Sequence, residues 1–183
     1  MIDRAFLARI RIEPLDRNKH DRAAFLCGEE RVDNFLKKTA AKQQDDGHTR
    51  IRVACLDTDS TVAGFYALNA HAVDASTLPP EQQKRLPSYP MISAIYLSVV
   101  GVSSDLQDRG SGSHLLADAF KQSADAANRI GAYFLVLDAL NERVARTYRK
   151  LGFVDLPCHE PRMLMTMKMV CAAIVATKTA DAV

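Results

Sequence analysis

In the stretch Leu106-Gln107-Asp108-Arg109-Gly110-Ser111-Gly112-Ser113-His114-Leu115-Leu116, two glycines spaced by one residue fall where the periodicity of the chain changes. Before it, Ile92 to Val102 is a near-continuous apolar run of strand type. After it, Leu115, Leu116, Ala119, Phe120 and Ala127 form an apolar stripe at helical spacing, with Asp118, Lys121, Gln122 and Asp125 off the stripe. Glycine lets the backbone come close to a ligand, and the start of a helix presents unpaired N–H groups at its positive end. Together they make a site for phosphate, and a pyrophosphate suits it well. Read without a ligand, the same residues are a strand-to-helix turn with a serine cap. Two familiar phosphate loops are excluded. No Gly-Lys-Ser/Thr follows at Walker spacing, and the third glycine of the dinucleotide fingerprint is absent.

A second group with chemistry lies downstream. Asn141 is placed to cap a short helix on which Val144, Ala145, Tyr148 and Leu151 line one face, and Gly152 ends it. By position alone Tyr148 is a core aromatic, but a buried tyrosine hydroxyl needs a partner. Cys27, Cys55, Cys158 and Cys171 are scattered without a Cys-x-x-Cys pair, so reduced and mostly buried thiols of a cytosolic chain are expected. Cys158-His159 has no second pair at ligand spacing, and no metal site is expected.

The 183 residues are enough for one domain with a sizeable core, and 48% hydrophobic with 25% charged residues is ordinary globular composition. Twenty-four basic against 22 acidic side chains leave a net charge of +2, so a nucleic-acid site would have to be a local patch. The first residues are broken by charge and form no signal peptide, and no run reaches the length of a membrane span.

Taken in order, residues 4–13 alternate apolar and charged and predict a half-buried strand. Pro14 to Asp21 connects it to a helical region in which Val32, Phe35, Leu36 and Ala40 form a stripe, with Arg31, Lys37, Lys38 and Lys42 mostly outside it. Residues 43–49 read as a loop, 50–56 and 61–68 as an antiparallel hairpin. Gly64 marks a bulge or a close backbone approach. Residues 77–90, with four prolines, are an exposed excursion with one helical turn. The strand from Ile92 to Val102 is apolar enough to be central, with Gly101 as a bulge or splay. The helix after the glycine loop stops at Gly131, Tyr133 to Leu137 is a buried strand, and Phe153-Val154 and Arg162 to Lys168 are final strands. From Cys171 the alanine-rich tail, 171–183, carries no docking pattern and is expected to fray or be disordered. The order predicts an α/β single domain over residues 1–170, with a mixed, mostly antiparallel sheet flanked by helices and a splayed central strand.

Gln107-Asp108-Arg109-Gly110-Ser111-Gly112 fits Gln/Arg-x-x-Gly-x-Gly/Ala, and Asn141, Ala145, Tyr148 and Gly152-Phe153 fit Asn-x-x-x-Ala-x-x-Tyr-x-x-x-Gly-Phe. The ordered pair resembles the GNAT superfamily of N-acetyltransferases over residues from about 50 to 169. That resemblance implies acetyl-CoA as co-substrate, with its pyrophosphate on the backbone of Gln107, Asp108, Arg109, Gly110, Ser111 and Gly112, joined by Ser113 and Asn141. It implies pantetheine beside Val100, Gly101 and Val102, and Tyr148 as general acid. The chemistry agrees: acyl transfer passes through an oxyanion that backbone N–H groups stabilise, and the leaving thiolate needs a proton.

The N-terminal third, Phe25-x-Cys27-Gly28 with Val32-Asp33-x-Phe35-Leu36 and Ala40, resembles the aminoacyl-tRNA-acetylating toxins of type II toxin–antitoxin systems. So does Gly64-Phe65-Tyr66-Ala67-Leu68, followed by the excursion ending Tyr89-Pro90. This implies aminoacyl-tRNA as substrate, a ribbon-helix-helix antitoxin as partner and a place in the cytoplasm, and it admits a homodimer. Candidate phosphate contacts are Arg31, Lys37, Lys38 and Lys42, with Arg143, Arg146, Arg149 and Lys150. Where those toxins read Arg-Leu-Ala-Val-Asp, this chain has Val99-Val100-Gly101-Val102-Ser103, and residues 92–102 hold no carboxylate base. The alternatives are a GNAT enzyme for a small amine or a protein N-terminus, and a non-catalytic acyl-CoA-binding module.

Overall fold

The computed structural model describes residues 4–157 and 159–181, so Cys158 and the last two residues of the tail lie outside the described residues. The chain forms α1 (Arg4–Leu7), β1 (Ile10–Pro14), α2 (Glu30–Asn34), a π-helical turn (Phe35–Thr39), α3 (Ala40–Asp45), β2 (Arg50–Leu56) and β3 (Gly64–Asp74). It continues through α4 (Pro80–Gln83), β4 (Met91–Val102), α5 (Ser111–Ile130), β5 (Phe134–Asp138), α6 (Glu142–Lys150), β6 (Val154–Asp155), β7 (Arg162–Thr166) and α7 (Met167–Asp181). The strands make one seven-stranded sheet in the order β1-β2-β3-β4-β5-β7-β6. β4 is therefore central, as its apolar run predicts. Its pairing with β5 is parallel, whereas β1–β2, β2–β3, β5–β7 and β6–β7 are antiparallel.

Two compact units divide the chain, residues 1–69 with 98–119 and residues 70–97 with 120–183. In the first, the period-2 pattern of β2 sends Ile51, Val53 and Cys55 into a core with Phe25, Leu36, Ala40, Phe65 and Ala67. Phe65 is its centre, meeting Phe25 edge-on at 5.3 Å and stacking on Phe35 at 6.1 Å. The alternate residue Arg52 turns to α5, where its Nε donates to Asp118 at 2.7 Å and the buried Tyr66 hydroxyl donates to the same carboxylate at 2.5 Å. In the second unit, Val73, Ile92, Ala94, Phe134, Val136 and Leu164 form the core. β5 is buried at Phe134, Leu135, Val136 and Leu137, as expected of a strand covered on both faces.

Ile92 and Ala94, with Tyr96 beside them, join the second core, whereas Val99 packs on the first. The parallel register with β5 stops at Leu97↔Leu137.

Both glycines flagged in strands owe their type to close approach. A Cβ on Gly64 would lie 2.8 Å from Leu115 Cδ1 and 3.2 Å from the Gly101 carbonyl. One on Gly101 would lie 2.9 Å from both Phe65 Cε1 and Val32 Cγ1. Gly101 is thus a packing position.

Other expectations are corrected. Residues 4–7 are a helical turn, and strand alternation starts only at Ile10. The helix of the first unit runs on to Asp45 and contains a π turn, with the Ala40 N–H reaching back to the Phe35 carbonyl. Leu151 is 41% exposed, because the chain leaves α6 there and turns at Gly152, φ +102°. α7 runs from Met167 to Asp181, with Val170 fully buried. No helix among the described residues is long and apolar enough to cross a membrane.

Candidate active site

The glycine loop belongs to the first unit. Gln107 Nε2 donates to the carbonyls of Cys27 at 2.8 Å and Val102 at 3.0 Å, so its side chain ties the loop down. Ser104 adds two bonds to the Leu26 carbonyl, N–H at 2.8 Å and Oγ at 3.0 Å. The Arg109 guanidinium stacks 3.8 Å from the centre of the Phe6 ring. Asp108 and Gly110 take left-handed backbone, φ +59° and +90°, which turn the chain into α5. The first loop-to-helix bond is from His114 N–H to the Gly110 carbonyl at 3.0 Å. The N–H groups of Ser111, Gly112 and Ser113 have no backbone acceptor among the described residues, and no acidic side chain occupies this first turn.

Those amides fit a pyrophosphate. Two side-chain observations agree. Ser111 Oγ is buried without a hydrogen-bond partner among the described residues. A Cβ on Gly112 would meet nothing but Val102 Cγ2, at 3.9 Å, and Gly112 is not left-handed, so neither packing nor conformation demands glycine there. Val100 and Val102 are half-buried and Gly101 is buried on the strand leading to this loop.

Tyr148 belongs to the second unit. Asn141 caps α6 as expected, its Oδ1 accepting from Val144 N–H at 3.0 Å, which leaves its amide nitrogen outside the cap. The Tyr148 ring is 8% exposed and packs 5.6 Å from Phe153, itself 6.0 Å from Phe120. Its hydroxyl has no hydrogen-bond partner among the described residues, and burial pushes its pKa up to about 12. The group therefore keeps its proton through neutral pH and can donate it. Of the basic residues beside it, Arg149 is committed to Asp155 and Glu142, each at 2.8 Å. Arg146 and Lys150 are exposed, as are Arg31, Lys38 and Lys42 in the first unit, while Lys37 is half-buried.

Sequence reasoning missed a polar cluster at the end of the β4–β5 pair. The Tyr96 hydroxyl donates to Asp138 Oδ2 at 2.8 Å, and Arg162 grips the same carboxylate with Nε at 2.8 Å and a second nitrogen at 3.0 Å. The His71 ring lies 5.3 Å from that of Tyr96. Burial pushes the Asp138 carboxyl up, but Arg162 and Tyr96 outweigh it and hold the group below its ordinary value. Burial and then Arg162 push His71 down, leaving it neutral at pH 7. The members come from four strands, so no local motif joins them; the available signals were a tyrosine inside an apolar strand and an aspartate ending another.

This sheet, with its parallel β4–β5 pair, helix N-terminus and tyrosine-bearing α6, has counterparts among known proteins. The family model of the acetyltransferase (GNAT) family matches residues 24–153. The chain is 39% identical over 161 residues to a probable toxin TacT of Sinorhizobium fredii, covering 84% of this chain and 89% of that one. It is 32% identical over 148 residues to a tRNA-acetylating toxin of Mycobacterium tuberculosis, covering 81% and 87%. A tyrosine-to-phenylalanine mutant of the toxin AtaT, solved bound to the C-terminus of the antitoxin AtaR and acetyl-CoA, superposes with a TM-score of 0.75 at 25% identity, over 88% of this chain and 96% of that one. The chain belongs to the GNAT acetyltransferase family.

Proposed function

We propose that this enzyme moves the acetyl group of acetyl-CoA to the α-amino group of an aminoacyl-tRNA, and so acts as a toxin that blocks translation. The observation that carries the reading is the extent of the likeness. It runs through the N-terminal third as well as the cofactor motifs, and it reaches 39% identity to a probable toxin. A toxin of this activity has to be restrained in its own cytoplasm, and the antitoxin-bound relative supports an antitoxin as the partner here, of the ribbon-helix-helix kind that the resemblance implies.

Acetyl-CoA supplies an activated acetyl thioester. The free amides of residues 111–113 and the Ser111 hydroxyl hold its pyrophosphate, with Gly112 leaving room for the approach. Backbone N–H groups where β4 loses its β5 partner are suited to the oxyanion. Tyr148 gives its proton to the leaving sulfur, a role for which its unpartnered hydroxyl and raised pKa fit it. Arg146 and Lys150, with Arg31, Lys38 and Lys42, are the cations left for phosphates.

The test is transfer of labelled acetyl from acetyl-CoA to total aminoacyl-tRNA, with uncharged tRNA and Tyr148→Phe as controls. Label on charged tRNA alone, reduced about 100-fold or more in the mutant, is expected. Label on polyamines or peptides but not on charged tRNA would overturn the substrate, and full activity of Tyr148→Phe would overturn the acid.

A further inference from the structure

β4 carries no carboxylate between residues 92 and 102, yet the attacking amine must shed a proton as the amide forms. The cluster at the end of the parallel β4–β5 pair supplies what β4 lacks. Tyr96 lies just before the register ends at Leu97↔Leu137, and Asp138 is the next residue of β5. Ligands of parallel strands bind beyond their carboxyl ends. α6, with Tyr148, starts four residues after Asp138 in the same unit.

We infer that the Tyr96 hydroxyl is a second catalytic group of this enzyme, receiving the acceptor amine's N–H while Asp138 holds its own proton. The inference rests on the acetyl-transfer reading. The Tyr96 hydroxyl donates to Asp138 Oδ2, so its lone pairs are left to accept a hydrogen bond. Asp138 cannot turn away, because Arg162 from β7 grips both its oxygens. Arg162 also lies 5.4 Å from the centre of the Tyr96 ring, and His71 packs against the same ring from β3. The charged and titratable groups around Tyr96 are thus Asp138, Arg162 and a neutral His71.

The step balances. The amine nitrogen bonds to the acetyl carbon and the carbonyl electron pair moves to oxygen. The nitrogen's proton passes to Tyr96 Oη while the Tyr96 proton passes to Asp138 Oδ2. The oxyanion then re-forms the carbonyl, the C–S bond breaks, and the sulfur takes the proton of Tyr148. Solvent returns the proton from Asp138 to Tyr148. Asp138 and Arg162 act through Tyr96, and Arg162 is a positioning residue.

Tyr96→Phe keeps the ring between His71 and Arg162 and removes only the hydroxyl. Expected is a loss of kcat of about 100-fold, with KM for acetyl-CoA and its equilibrium affinity for the acceptor-free enzyme within twofold of the parent. Asp138→Asn should lower kcat comparably and shift the acid limb of its pH profile, and the double variant should lose no more than the worse single one. A Tyr96→Phe enzyme within twofold of the parent kcat would overturn the proposal, as would losses that multiply in the double variant. Should Asp138→Asn fail to fold, the Tyr96→Phe result decides alone. The same rates are read on whichever amine the parent enzyme acetylates. A parent that ignores aminoacyl-tRNA but acetylates a polyamine overturns the substrate reading, while Tyr96 stands or falls on the polyamine rates.

Discussion

Because a methyl on Gly112 would meet only Val102 Cγ2, at 3.9 Å, Gly112→Ala separates the protein's interests from the ligand's. Alanine is favoured over glycine in a helix by up to about 1 kcal/mol, so the melting temperature should stay level or rise. Acetyl-CoA should nonetheless bind about tenfold more weakly, equivalent to roughly 1.4 kcal/mol, as calorimetric titration would register. A weaker protein with unchanged affinity would mean that the glycine serves the fold. Tyr148 makes a second claim at this scale. With its pKa pushed up to about 12, it stays protonated through pH 10, so kcat should show no alkaline fall below that pH. An alkaline limb near pH 8 that vanished in Tyr148→Phe would contradict it. Both residues were legible in the sequence because each belongs to a local spacing. Tyr96 and Asp138 were not, since 42 residues separate two groups that the sheet brings within 2.8 Å.

At the level of elements, β4 sets the geometry on which the glycine loop depends. Gly101→Ala would drive a methyl to 2.9 Å from Phe65 and Val32, and Phe65 cannot move without disturbing Phe25 and Phe35. Overpacking of this kind costs about 1–3 kcal/mol, measurable by denaturant unfolding, and a neutral result would mean that the core yields there. The departure from the toxins' alanine at this position thus has a packing reason. β2 and the helix after Gly110 were readable because period 2 and period 3.6 run unbroken through them. The N-terminal turn was misread because the alternation of Arg9 to Glu13 was extended back over Ala5 to Ala8, four apolar residues in a row, while Phe6 is buried as a helical residue. Leu151 fits the stripe of α6 by number, but Gly152 bends the chain before it can pack.

For the whole molecule, a net charge of +2 makes acid tolerance depend on individual carboxylates. Glu13 accepts from Lys19, His20 and Arg11, which together hold its pKa at about 2. Its folded-state pKa lies below the unfolded value of about 4.3, so the stability it contributes is full above that value and drains away as pH falls toward 2. Glu13→Gln should lower the melting temperature at pH 7 and flatten its decline between pH 5 and 2. Parallel curves for the two proteins would show that the triad is inert. Salt reports on the same charge balance. If tRNA is held by Arg146, Lys150, Arg31, Lys38 and Lys42, log affinity should fall linearly with log salt with a slope of only a few units. A salt-independent affinity would exclude phosphate contacts.

The division of the chain also has a consequence for its birth on the ribosome. The first unit takes residues 1–69 and then 98–119, so β1, β2 and the start of β3 emerge from the exit tunnel well before the end of β4 and the start of α5 that complete them. At 5–20 residues per second, the nascent chain waits roughly 3 to 10 s for those 50 residues. Through that interval the amides of residues 111–113 do not yet exist, and Tyr148 is later still. A polypeptide of this design cannot acetylate the charged tRNAs feeding its own synthesis until that synthesis is nearly finished.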